Sequence, residues 1–126
     1  MFVRFVVSEL DPDSGEPLGI FQVMYRLADR GELSLDEQAR WDTIRRWFNS
    51  QLKRPESMSR SARPHARGVA ISWFRDSATR HIGRAYELVT LLGELGVQVE
   101  TLRTSRPGYI VYEDAVQVVA EPFRGE

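Results

Sequence analysis

The chain has 126 residues, 42% of them hydrophobic and 28% charged, and no cysteine. That length gives a single domain, residues 1–126, with a core large enough to need no cross-link, and the lack of cysteine excludes disulfides and thiolate metal sites. The formal net charge of −1 conceals a strong pattern. Residues 1–52 carry six Arg against nine acids, residues 53–84 eight Lys or Arg against two acids, and residues 85–126 three Arg against seven acids. An acidic body therefore carries one basic segment. The N-terminus has no basic leader ahead of an apolar run, and no stretch approaches the ~18 apolar residues of a membrane span. A cytoplasmic protein with no membrane contact is expected.

Residues 2–8, FVRFVVS, are β-branched and aromatic and read as a strand. Val3, Phe5 and Val7 point one way, and Phe2, Arg4 and Val6 the other. Two largely apolar faces suit an inner strand. Asp11-Pro12-Asp13-Ser14-Gly15 is turn chemistry. It lacks the further ligands of a calcium loop.

A helix is predicted over residues 18–30, with Pro17 at its start and Gly31 after its end. A second begins at Ser34, where Ser34 and Glu37 form a capping box, and runs to about residue 51. Its apolar stripe is Trp41, Ile44, Phe48 and Leu52. The short link between the two implies an antiparallel helical hairpin. Residues 53–68 are rich in Ser, Pro and Arg and read as a basic loop, with Pro55 and Pro64 barring a helix. A long helix is predicted over residues 72–95, ended by Gly96. Its core arc is Phe74, Ala78, His81, Ile82, Ala85, Leu88, Val89 and Leu92, while Trp73, Ser77, Arg80 and Arg84 share one edge.

Three strands close the chain, over residues 97–103, 109–113 and 116–121, and read as a three-stranded meander. Pro107 and Gly108 supply a turn between the first two. The first strand must join the same sheet to be covered. The fold class is α+β, ordered β-α-α-α-β-β-β, with helices packed on an antiparallel sheet in two layers.

The candidate site is the basic segment. Arg60, Arg63, His65 and Arg67 alternate with small residues, and arginine-rich loops suit phosphate because guanidinium groups give planar, bidentate donors. Arg75, Arg80 and Arg84 continue the charge along the long helix. Trp73 beside Arg80 and Arg84 suggests base stacking or cation–π contact, against the alternative that arginine stems merely cover a packed indole. Arg103, Arg106 and Tyr109 form a second patch. His81 falls on an apolar arc and is read as a hydrogen-bonded core histidine. Two histidines without metal-ligand spacing make no metal site, and no cofactor motif is present.

The reading that follows is a small non-enzymatic binding or regulatory domain. Its basic loop and the start of its long helix would meet a phosphate-rich or acidic partner, with nucleic acid the first expectation. The alternatives are a nucleotide- or nucleic-acid-processing enzyme using His65 with an arginine clamp, and a protein-only interaction or inhibitor subunit; a homodimer is also open. An exposed Trp47 would favour a partner surface.

Overall fold

A computed structural model of the chain describes residues 1–53 and 70–123. Among them run β1 (Phe2–Leu10), β2 (Pro17–Gly19), α1 (Ile20–Asp29), α2 (Leu35–Gln51), β3 (Ile71–Arg75), α3 (Thr79–Glu94), β4 (Glu100–Thr104), β5 (Tyr109–Glu113) and β6 (Gln117–Glu121). The class is α+β, as the order of apolar patterns implies, and every strand pair is antiparallel.

β1 organises the sheet because it is paired on both edges. β4 covers one edge, from Phe2 opposite Thr104 to Val6 opposite Glu100. Two strands share the other edge. β3 takes its start, with Phe2 opposite Arg75 and Val3 opposite Phe74, and β2 takes its far half, with Val6 opposite Gly19 and Leu10 opposite Pro17. Among the described residues no strand covers Arg4 and Phe5 on that edge. β6 pairs with β3, and β5 with β6. Across the sheet the order is β4-β1-β3-β6-β5, with β2 lying past the end of β3 along β1.

One face of β1 builds the core. Val3, Phe5 and Val7 alternate onto the helix side. There they meet Ile20, Val23 and Met24 of α1, Trp41, Ile44 and Phe48 of α2, Phe74 of β3, and Ala85, Leu88, Leu91 and Leu92 of α3. The start of α2 is fixed as its sequence dictates. The Glu37 N–H donates to Ser34 Oγ at 3.2 Å, and the Ser34 N–H donates to the Glu37 carboxylate at 2.8 Å. Gly31 and Gly96 stand just past α1 and α3 with φ of +69° and +81°, the left-handed geometry that ends helices.

Two expectations are corrected. Residues 71–75 are a strand, and the long helix starts only at Thr79. Ile71, Trp73 and Phe74 are strand formers, and a turn separates them from the helix, with the Ala78 N–H donating to the Arg75 carbonyl at 2.9 Å. Phe74 falls on the same arc as the helix residues when spaced at 100°, which hid the boundary. Likewise the last three strands are not one meander. β5 and β6 form a hairpin, whereas β4 pairs with β1. The Arg106-Pro107-Gly108 link does not fold back on β4. It carries the chain to β6, where Gly108 at φ +135° lies against the backbone of Glu121.

That link also curves the sheet. Thr104 and Tyr109 are five peptide steps apart and so at most ~18 Å from each other. In a flat sheet, four interstrand spacings of ~4.8 Å would already separate β4 from β5 by more than that. The sheet therefore coils, which buries apolar residues on its second face too: Val6, Val118 and Ala120 are as inaccessible as the helix-side core.

The β5–β6 turn is held by Asp114. Its Oδ1 accepts the N–H groups of Val116 and Gln117 at 2.8 and 2.9 Å, and its Oδ2 accepts the Tyr112 hydroxyl at 2.9 Å. Burial pushes the Asp114 carboxyl up, but these hydrogen bonds outweigh it and hold the group below the ordinary value. A depressed folded value means stability that is present above the unfolded value near ~3.9 and is lost as pH falls through the folded value. Denaturant titrations at about pH 7 and pH 3 are expected to show a smaller acid-side loss for Asp114→Asn than for the parent chain.

Candidate functional site

The uncovered stretch of β1 opens a cleft of about 320 Å³. Val3, Arg4 and Phe5 form its floor, Gly19, Ile20 and Phe21 one wall, and Ile71 to Phe74 of β3 the other, with Asp11 and Gln117 at its margins. The walls are mostly apolar, and two polar groups stand out among them.

Arg4 is only 9% exposed. It is the one charge within the apolar run 2–7 of β1, and alternation sends it to the face opposite the core. Its Nη2 lies beside Gly19, 3.5 Å from where a β-carbon would stand. Burial is the dominant influence and pulls its pKa down to about 10, against the opposing pull of Glu16 and Asp11. Among the described residues its guanidinium has neither a hydrogen bond nor an ion pair.

The last β1–β3 pair is Val3 with Phe74, and alternation along both strands puts Arg4 and Trp73, the next residues, on the same face of the sheet. The indole N–H of Trp73 is buried and finds no acceptor. Gln117, by contrast, is buried and satisfied: its amide donates to the Lys53 carbonyl at 2.6 Å and to Asp114 Oδ2 at 3.2 Å.

A second constellation lies on α2 and α3. Trp47 leans out of the α2 stripe, and the guanidinium carbons of Arg80 and Arg84 sit 5.8 and 5.3 Å from its ring centroid. Thr79, Gly83 and Glu87 complete a shallow depression around them. Arg84 also pairs with Glu87 at 3.2 Å. Behind this surface His81 packs edge-on to Trp47 at 4.9 Å, and its Nε2 bonds the Gln51 carbonyl at 2.7 Å. A carbonyl only accepts, so Nε2 carries the proton. The ring joins the C-terminal turn of α2 to α3.

The sequence-predicted residues separate accordingly. Arg60, Arg63, His65 and Arg67 lie outside the described residues. Arg80 and Arg84 do gather on an indole, but it is Trp47 and not Trp73, because Trp73 belongs to β3 and not to the helix. Arg75 is taken up by the hairpin: its Nε donates to the Asp114 carbonyl at 2.7 Å, it pairs with Glu113 at 3.1 Å, and it stacks on Phe2. Arg103 lies on β4 and Tyr109 on β5, the outer strands among the described residues, with Arg106 between them in sequence and over the Phe123 ring at 5.2 Å. Sequence reasoning overlooked Arg4, although one arginine amid FVRFVV was a readable signal.

Among the described residues no group of three or more His, Cys, Asp or Glu is placed to hold a metal ion. No described helix is long and apolar enough to cross a membrane. The chain matches no protein-family model, no curated protein and no solved structure.

Proposed function

We propose that this chain is a non-enzymatic binding domain whose α2–α3 face takes a phosphate-bearing polymer, single-stranded nucleic acid first, in a cytoplasmic setting. The supporting observation is the indole of Trp47 flanked by Arg80 and Arg84. An aromatic plane with guanidinium groups beside it offers a stacking platform and charge for the backbone at once. The same end of α2 leads through Lys53 into the basic segment, whose sequence holds Arg54, Arg60, Arg63 and Arg67 against Glu56.

Fluorescence anisotropy with labelled single- and double-stranded DNA and RNA at two salt concentrations tests this. Affinity is expected to fall steeply with salt. Arg80→Ala with Arg84→Ala is expected to weaken binding uniformly across sequences and to lower the log–log salt slope by about 2, one for each lost phosphate contact. Absence of binding at low salt, or a double variant that binds as the parent does, overturns the reading in favour of an acidic protein partner. Of the two histidines, His81 is committed to the Gln51 carbonyl.

A further inference from the structure

Arg4, largely buried and with no hydrogen bond to a described residue, and Trp73, whose buried indole N–H has no acceptor, line one cleft. We propose that the cleft between β2 and β3 binds a small molecule with a planar apolar body and a carboxylate, the carboxylate received by Arg4 and the Trp73 indole N–H.

Each part of this follows from the chemistry of the walls. Buried polar groups are almost always satisfied, and an orphaned donor costs its full desolvation. Both residues line the same cleft, from one face of neighbouring strands, so one acceptor group can serve both. Both donors are N–H and one is cationic, so the complement is an acceptor that carries negative charge. A carboxylate suits the guanidinium fork, with two parallel bonds.

The two acidic neighbours do not already fill this role. Asp11 and Glu16 attract Arg4, but neither forms an ion pair with it, and burial outweighs their pull. A cation is excluded as the ligand by Arg4 itself. Most of the remaining surface, from Val3, Phe5, Ile20, Phe21, Ile71 and Phe74, is apolar, with Gln22 and Ser72 the smaller polar share, and it calls for a largely apolar body. A volume of about 320 Å³ is at the lower end of the ~300–1,000 Å³ range of small-molecule pockets. The opening exists because β2 and β3 divide one edge of β1 and leave Arg4 and Phe5 between them. It is therefore built into the strand order and lies away from Trp47, Arg80 and Arg84.

The test is a ¹H–¹⁵N titration of the full chain with benzoate and phenylacetate, with benzyl alcohol and inorganic phosphate as comparison probes. Trp73→Phe identifies which of the three indole peaks belongs to Trp73. The carboxylates are expected to move that peak saturably, and benzyl alcohol and phosphate to bind at least about tenfold more weakly, the loss of a charge-assisted contact or of the apolar body. Arg4→Met is expected to lose a similar factor, and Arg80→Ala with Arg84→Ala to lose none, which separates this site from the nucleic-acid surface. An unmoved Trp73 peak at millimolar carboxylate overturns the proposal, as does Arg4→Met binding benzoate like the parent. Should Arg4→Met fail to fold, the parent chain still decides: benzyl alcohol or phosphate binding as tightly as benzoate overturns it.

Discussion

Gly108→Ala is expected to remove roughly 2–6 kcal/mol of stability, combining a backbone strained by ~1–3 kcal/mol with an overpacking cost of similar size. At φ +135° Gly108 occupies a region that L side chains rarely enter. A β-carbon there would fall inside contact distance of the Glu121 carbonyl, and it would also press on the α-carbon of Pro122. These are backbone atoms in and just after a paired strand, so neither can swing aside as a side-chain tip could. Urea unfolding of the variant beside the parent measures the effect. A loss below about 1 kcal/mol would mean that the β4–β5 link relaxes freely and does not hold the sheet's curvature.

Trp41→Ala is expected to cost about 3–5 kcal/mol, the range for emptying a large aromatic site in a core. Trp41 is 2% exposed and is among the largest fully buried side chains. It stands edge-on to Tyr25 of α1 at 5.1 Å, so it joins the first helical pair. The same denaturation experiment reads it. Trp41→Phe is expected to recover part of the loss, because it retains a ring to face Tyr25. An alanine variant within about 1 kcal/mol of the parent would show that α1 and α2 close over the space.

The sequence carried the architecture where short-range chemistry decides it. The Ser34–Glu37 box, the Trp41-Ile44-Phe48 stripe and the alternation of β1 are local patterns, and each survives intact in the fold. It concealed what depends on distant partners. Nothing within Ile71–Arg75 states that its neighbours are β1 and β6 rather than a preceding helical turn. Nor does Glu100–Thr104 state that it lies on β1 instead of β5, since hydrophobic period sets a strand's faces and not its mate. The site suffered the same way. Arginines with helical spacing on α3 were legible as a cluster, but the indole they enclose comes from α2, 33 residues before Arg80. Arg4 becomes unusual only once its strand is known to be flanked and its edge left open.

The placement of β1 has a kinetic consequence. It is made well before β4, its partner along Phe2–Val6, which is nearly a hundred residues further on. At a synthesis rate of ~5–20 residues per second, that partner arrives roughly 5–20 s later. Until then FVRFVV stays an apolar strand with an unsatisfied edge, the kind of segment that invites pairing with other chains. Loop closure over such separations is also what slows refolding into the millisecond-to-second regime. The charge of Arg4, set in the middle of that run, then serves the nascent chain as well as the finished cleft: it interrupts an apolar segment that waits for its partner while the chain is incomplete.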